Sequence, residues 1–162
     1  MTNRSRFFAG INMRKYGQTS NRPEQMLALE LIIQNCKDKT MTASTEFRVN
    51  NIKIVDYIDL TGVRTPTLDI AVFYRNRSIG IRLNGPYHDS RTKKDAVQKA
   101  VLEHPINGWK IVDFWHWKMP HLFKKYNSPI TDIQKMNILQ EIKSELKGII
   151  PLTSSLTPTS MV

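Results

Sequence analysis

Cysteine is almost absent from this sequence, which has a single one, Cys36, among 162 residues. One cysteine excludes an internal disulfide framework and a cysteine-based zinc site, and its apolar, helical surroundings favour core packing. The four histidines lack the close helical spacing of a zinc-protease site. The sequence has no glycine-rich loop for a phosphate and no apolar run long enough to span a bilayer. A membrane partner is therefore not expected.

Acidic residues are also scarce, with 14 of them against 24 lysines and arginines, so the formal net charge is +10 and the pI is about 9.9. This excess favours a polyanionic partner, nucleic acid before an anionic membrane, because lysines and arginines that neutralise phosphates release counterions. Basic proteins without a nucleic-acid role also exist, so the charge alone identifies no function. The length and the 40% hydrophobic content suit one domain with a modest core.

The two ends of the chain differ in composition from its middle. Residues 1–19 contain no acidic side chain, and their arginines are predicted to contact nucleic acid: Arg4, Arg6 and Arg14. Two other interpretations remain open for this arm, a disordered segment and an organellar targeting segment. Residues 151–162 are rich in serine and threonine and free of acids, which predicts a flexible tail. Residues 20–150 are left as one domain.

Hydrophobic periodicity in that domain predicts an α/β fold with a central mixed sheet flanked by helices. The predicted helices are Pro23–Lys37, Ser90–Glu103 and one from Thr131 or Asp132 to Lys147. The predicted strands are Glu46–Val49, Ile52–Ile58, Leu68–Tyr74, Ile79–Asn84 and Trp109–Phe114. Leu68–Tyr74 and Ile79–Asn84 flank a short polar turn, so they are expected to pair as an antiparallel hairpin.

The central hairpin carries the polar residues with the clearest chemical meaning. Successive side chains of a strand point to opposite faces, so Arg82 and Asn84 share one face of the second strand. Asp69, near the start of the first strand, is expected to face them. Several nuclease sites are arranged in this way, with one carboxylate facing a polar pair. A solvated hairpin face is the simpler interpretation of the same spacing.

Basic and aromatic side chains also occur outside the arm. Those of the hairpin turn and the second helix are predicted to contact nucleic acid, which adds Arg75, Arg77, Arg91, Lys93 and Lys94. The segment 115–117, Trp-His-Trp, follows the last predicted strand. It is either a cap on the core or a surface for stacking, and the sequence leaves this open.

Five motifs, taken in chain order, resemble those of the very-short-patch mismatch-repair endonucleases and their small relatives in the PD-(D/E)XK nuclease superfamily. The motifs are Arg22-Pro23-Glu24, Leu68–Phe73, Ile81–His88, Lys94-Asp95 with Leu102, and Gly108–Trp115. Each motif is loose, and it is their order and spacing over residues 20–149 that make the match moderately specific. The resemblance implies a restriction-endonuclease-like fold and a phosphodiesterase site that uses Mg²⁺.

The resemblance also implies roles for individual residues. Asp69 matches the metal-binding aspartate, and Glu24 matches a helix glutamate that helps to organise the site. Asn84 and His88 fall at or near positions where these enzymes carry active-site histidines. Tyr87 lies where the repair enzymes place aromatics that wedge into DNA.

Arg82 departs from the superfamily pattern, because it falls where the wider superfamily has an Asp or Glu metal ligand. A hard cation wants oxygen ligands, whereas a permanent cation repels the metal and binds phosphate well. Arg82 is therefore predicted to contact nucleic acid. The repair enzymes also lack an acid at this position, so the change does not by itself abolish catalysis.

Two functional classes follow. The first is a basic protein that binds DNA or RNA on a nuclease-like fold without hydrolysing it, as part of a ribonucleoprotein or other nucleoprotein assembly. The second is an active Mg²⁺-dependent DNA endonuclease, in which Asp69 binds the metal and Glu24, Asn84 and His88 assist. Either class places the protein inside the cell with nucleic acid, without separating a bacterial or viral cytoplasm from an organelle.

Overall fold

Strands and helices alternate through the chain much as the periodicity predicts. The computed structural model describes residues 22–50, 52–53, 66–123 and 130–153. Its elements in chain order are α1 (Pro23–Asn35), β1 (Thr42–Arg48), β2 (Thr67–Tyr74), β3 (Arg77–Asn84), a 3₁₀ helix (Pro86–Ser90), α2 (Thr92–Glu103), β4 (Trp109–Trp115), α3 (Pro120–Phe123) and α4 (Asp132–Leu146). None of the helices described is long and apolar enough to cross a membrane.

A four-stranded mixed sheet in the order β1-β2-β3-β4 forms the centre of the described part of the chain. The predicted hairpin is confirmed, because β2 pairs antiparallel with β3 through a turn at Arg75 and Asn76, both at positive φ. The sequence placed Trp109–Phe114 in the same sheet, and β4 indeed lies parallel to β3, with α2 as the crossover. The prediction of an α/β fold with a mixed sheet is therefore confirmed.

Strand β1 is longer than the predicted Glu46–Val49 and pairs antiparallel with β2. The predicted strand Ile52–Ile58 lies outside the described residues except for Ile52 and Lys53, which are not in a strand. The backbone of Lys53 is instead bonded to the side chain of Asn107, whose Oδ1 lies 2.7 Å from the Lys53 nitrogen. The predicted arm, with Arg4, Arg6 and Arg14, also lies outside the described residues.

The predicted tail begins within the folded part. Leu152 forms an antiparallel bridge with Cys36, and the backbone nitrogen of Thr153 donates to Asn35 at 2.9 Å. These contacts hold residues 151–153 against the end of α1. The remaining residues of the predicted tail, from 154 onward, lie outside the described part.

Helices cover both faces of the sheet because both faces are apolar. On one face α1 and α4 enclose a core with β2 and β3 that includes Leu29, Ile32, Ile70, Ile81 and Ile142. On the other face a smaller cluster contains Leu102 of α2 together with Leu68 and Ile111. Gly80 permits this contact, since a Cβ there would lie 2.7 Å from Leu68 Cδ1 and 2.9 Å from Ile111 Cδ1.

The strand directions place two groups of polar residues at opposite ends of the sheet. Strands β1, β3 and β4 end where β2 begins, because β2 runs antiparallel to β1 and β3 and β4 runs parallel to β3. The hairpin turn lies at the other end, roughly 23 Å away along β3. The candidate site residues near Asp69 and Asn84 therefore share one end of the sheet.

Candidate functional site

Asp69 lies near the start of β2, and its carboxylate is already bound by three donors. Oδ1 accepts hydrogen bonds from Arg22 Nη1 at 3.1 Å and from Gln25 Nε2 at 2.8 Å. Oδ2 accepts from the backbone nitrogen of Leu83 at 2.7 Å. The side chain thus joins the start of β2 to the end of β3 and to the first turn of α1.

Arg22 joins Asp69 to the second predicted carboxylate, Glu24. Its Nη2 lies 2.9 Å from Glu24 Oε1, while its Nη1 binds Asp69. Glu24 and Asp69 are thus brought together, as the resemblance implies, but a guanidinium lies between them. A metal ion bound by both carboxylates would have to displace it.

An open cleft of about 550 Å³ lies beside this group and is called the Asp69 cleft here. It is lined by Arg22, Gln25, Glu46, Arg48, Thr67 and Asp69. Two arginines and two carboxylates therefore balance each other in charge. Because Arg22 already bridges Asp69 to Glu24, the cleft offers little net attraction to a metal ion or to a phosphate.

The position of Asp69 differs from the expected hairpin face. Residues that are two positions apart on a regular strand share a face. Leu68, however, packs in the cluster on the α2 side, and Ile70 packs in the core on the α1 side. Strand β2 therefore changes face at Asp69. On the neighbouring strand, Glu46 has a φ of 51° between the paired residues Thr45 and Phe47. Asp69 accordingly contacts Arg22 and Gln25 at the start of α1, whereas Arg82 binds Asp113.

Arg82 and Asn84 share a face, as predicted, and both bind Asp113 on β4. Arg82 forms a bidentate pair with Asp113, with Nε–Oδ1 at 2.7 Å and Nη2–Oδ2 at 2.9 Å. Asn84 Nδ2 donates to Asp113 Oδ1 at 2.9 Å. The parallel register makes this possible, because Arg82 lies directly opposite Asp113.

The donor groups of the Arg82 guanidinium are almost all hydrogen-bonded within the protein. Its Nη1 donates to the backbone oxygen of Asp95 at 2.8 Å and to Gln98 Oε1 at 3.1 Å, both on α2. Its side chain is only 8% exposed. A phosphate contact by Arg82 stays a prediction, and this geometry does not favour it.

The Asp113 carboxylate is stabilised in its charged form. Burial of the carboxyl would raise its pKa, but hydrogen bonds and charge from Arg82 counteract this. Asn84 and Lys99 add to the effect, and the pKa is held below its ordinary value. The pair is therefore ionised at neutral pH and ties β3, β4 and α2 together.

His88, predicted to assist catalysis, lies in the 3₁₀ helix after β3. Its Nδ1 is 3.0 Å from Asp95 Oδ2, on the α2 side. Glu24 and Asp69 are instead held around Arg22, so the hydrogen bonds do not bring His88 to the same point as these two carboxylates. Within the described residues, no group of three or more His, Cys, Asp or Glu side chains is placed to hold a metal ion. The arrangement around Asp69 fits the protein's own arginine better than Mg²⁺.

A second open cleft, of about 540 Å³, follows the same end of β3 and is called the Tyr87 cleft here. It is lined by Tyr87, Ser90, Arg91, Thr92, Lys93 and Lys94. Three of these residues are cations and none is a carboxylate. The Tyr87 ring is 67% exposed. Four of the residues predicted to contact nucleic acid are therefore together in one cleft.

Apart from Arg82, the other predicted contacts of the described chain are Arg75 and Arg77, which lie at the opposite end of the sheet. Arg75 is 74% exposed and its Nε is 3.8 Å from Asp38 Oδ2, whereas Arg77 Nη1 donates to the backbone oxygen of Ile149. The predicted basic residues therefore form two separate groups. A contact surface centred on the Tyr87 cleft therefore does not include the β2–β3 turn.

Sequence reasoning missed four partners that determine the site, namely Arg22, Gln25, Gln98 and Asp113. The signal for Asp113 was present, since aligning Ile79–Asn84 in parallel with 110–115 sets opposite charges side by side. Both interpretations of the segment 115–117 stay predictions. The rings of Trp115 and Trp117 stack at 6.3 Å, and Trp117 is 62% exposed.

The chain was compared with models of known protein families, with curated proteins and with solved structures, and none of the three comparisons finds a match.

Proposed function

We propose that this protein binds nucleic acid through the Tyr87 cleft on a nuclease-like fold and does not hydrolyse it. The observation that carries the proposal is the set of three cations in the Tyr87 cleft, Arg91, Lys93 and Lys94, with no carboxylate among the lining residues. Cations that line a cleft without a carboxylate, beside an exposed aromatic ring, suit a phosphate backbone with accessible bases. The formal net charge of +10 points to the same class of partner.

The fold type within this proposal is restriction-endonuclease-like and similar to the very-short-patch repair enzymes. Its support is the antiparallel hairpin β2–β3 followed by the parallel strand β4, with Asp69 and Asn84 at one end of the sheet. The partner is DNA or RNA, and other proteins of a nucleoprotein assembly are compatible with the remaining basic surface at Arg75 and Arg77.

The lack of hydrolysis rests on charge. Mg²⁺ catalysis of phosphodiester cleavage needs oxygen ligands that are free to bind the ion and the attacking water. Here Arg22 bridges Asp69 and Glu24, and Arg82 replaces the superfamily's second acid and is neutralised by Asp113. Both positions hold a guanidinium where the resemblance would place a metal or its ligand.

A salt series with matched charge variants tests the binding. On a single strand each phosphate contact contributes about 0.7 to the slope of log affinity against log salt. Lys93→Gln with Lys94→Gln should therefore lower affinity about 25-fold at about 0.1 M salt and reduce the slope by about 1.4. The control pair Lys37→Gln and Lys147→Gln makes the same charge change on exposed lysines elsewhere and should change affinity less than about threefold.

Two results would contradict the binding proposal. One is equal losses of affinity in the cleft pair and in the control pair, which would mean that overall charge and not the cleft decides binding. The other is a wild-type protein that binds no duplex, single strand or structured RNA at any salt concentration.

An active Mg²⁺-dependent endonuclease is the second candidate. The observation that favours it is the closeness of Glu24 and Asp69, both within hydrogen-bond reach of one guanidinium. A nicking assay on plasmid and branched DNA with Mg²⁺ or Mn²⁺, wild type beside Asp69→Ala, separates the candidates. We expect no cleavage by either protein. Cleavage by the wild type that is lost in Asp69→Ala would establish the second candidate and refute the absence of hydrolysis.

A further inference from the structure

Tyr87 is exposed, but its ring is held in place by its neighbours. The guanidinium carbon of Arg91 lies over the ring at 5.2 Å from its centroid. Arg91 Nη1 also donates to the Tyr87 hydroxyl at 3.3 Å. The ring of His88 meets it nearly edge-on, with centroids 5.7 Å apart and an interplanar angle of 78°. The ring is thus oriented before any ligand arrives.

One face of the ring is therefore occupied. An aromatic wedge that enters a duplex separates two stacked base pairs and contacts a base on each of its faces. Tyr87 has a guanidinium on one face, so a base can stack on at most the other face, and the residue is 67% exposed. A ring with one free face can stack on a single unpaired base, whose own second face needs no partner.

The cations of the cleft complete the requirements for such a ligand. Lys93 and Lys94 line the same cleft as Tyr87 and are exposed. A base stacked on the ring carries a phosphate on each side, and a flexible strand can bring these phosphates to the lysines. A continuous duplex keeps its bases inside the helix and offers the ring nothing to stack on except a blunt end.

We propose that the Tyr87 cleft binds an unpaired nucleobase and its flanking phosphates, so that the protein selects single-stranded segments over continuous duplex. This inference rests on the proposed function and names its substrate class. Arg91 then has two tasks, since it holds the ring by the hydroxyl and adds charge to the cleft.

The test compares a pyrimidine-rich strand with a duplex of the same length whose two ends are closed by non-nucleotide linkers, in DNA and in RNA, for wild type, Tyr87→Leu and Tyr87→Phe. Wild type should bind the strand about tenfold more tightly than the duplex. Tyr87→Leu should lose about tenfold on the strand, the range for one base on one ring, and less than twofold on the duplex. Tyr87→Phe keeps the ring and should retain most of the affinity.

A fluorescent base gives a readout that a loss of folding would not reproduce. One 2-aminopurine in the strand should be quenched on binding to wild type and to Tyr87→Phe, but not on saturation with Tyr87→Leu. Equal binding of strand and duplex by the wild type, in both DNA and RNA, would overturn the inference while leaving the proposed function intact. An equal loss on both ligands in Tyr87→Leu would overturn it as well. No binding to any ligand would refute both.

Discussion

The Asp69 cleft and the Tyr87 cleft are almost equal in size, at about 550 and 540 Å³, and differ in how their charges are paired. Both lie at the end of the sheet where β3 ends. Two arginines and two carboxylates line the first, and three cations without a carboxylate line the second. Cleft volume therefore does not distinguish the two clefts, and the pairing of charges does.

Charges that the protein pairs internally serve its own structure. The Arg82–Asp113 pair shows this at its strongest, because both side chains are largely buried and Arg82 also donates to Asp95 and Gln98 of α2. Arg22 does the same for Asp69 nearer to solvent. Cations that line a cleft without a carboxylate, as in the Tyr87 cleft, repel one another and are stabilised by a polyanion.

Breaking the buried pair should have the largest effect on stability. Asp113→Ala leaves the Arg82 charge buried without its carboxylate, so the free energy of unfolding should fall by about 3–5 kcal/mol at pH 7. Urea denaturation measures it. Replacing both residues, Arg82→Met with Asp113→Leu, should recover most of the loss, because apolar groups of similar volume can replace a buried pair. A loss under about 1 kcal/mol in Asp113→Ala would show that the pair is not structural.

Giving the Tyr87 cleft the carboxylates that it lacks should come next in effect. Ser90→Glu with Thr92→Glu adds two negative charges and leaves every cation in place. If each cancels one phosphate contact, single-strand affinity should fall about 25-fold at about 0.1 M salt. Stability should not fall, since acids at the start of α2 interact favourably with the helix dipole. Affinity measured beside thermal unfolding checks both parts, and unchanged affinity would contradict the role of the cleft.

Acid should weaken the buried Arg82–Asp113 pair. Asp113 has a pKa held below its ordinary value of 3.8 in the folded protein. A carboxyl group whose pKa is lower in the folded than in the unfolded protein stabilises the fold. This stabilisation is fully present above the pKa of the unfolded state and is lost as the pH falls through the pKa of the folded state. The stability difference between wild type and Asp113→Asn should therefore be largest near neutral pH and shrink below about pH 4. A difference that grows on acidification would contradict this.

Local patterns allowed much of this fold to be predicted from the sequence. Alternation in Leu68–Tyr74 and Ile79–Asn84 specified the hairpin, and periodicity located α1, α2 and α4 to within two residues, whereas the short α3 was not predicted. The start of α2 was predicted two residues too early, at Ser90. The structure instead forms a 3₁₀ helix over Pro86–Ser90 and begins α2 at Thr92, with Arg91 at the cap position and no side-chain cap.

The site was harder to predict because its pairings are long-range. Arg22 and Asp69 are 47 positions apart, and Arg82 and Asp113 are 31 apart. Spacing within one strand correctly placed Arg82 and Asn84 on a shared face. It could not show that β2 changes face at Asp69, which depends on how Leu68 and Ile70 pack on opposite sides of the sheet.

Removing the charge of Arg22 in the Asp69 cleft should have the smallest effect. Arg22 is 48% exposed, so its ion pairs with Glu24 and Asp69 are screened by water. Arg22→Gln should lower the free energy of unfolding by less than about 1 kcal/mol, compared with about 3–5 kcal/mol for the buried pair. Because that cation is already bound to two carboxylates, nucleic-acid affinity should change less than about twofold. Urea denaturation and a binding titration on the same preparation measure both quantities. An affinity loss as large as that of the lysine pair in the Tyr87 cleft would show that both clefts contact the nucleic acid, and the contrast between them would then fail.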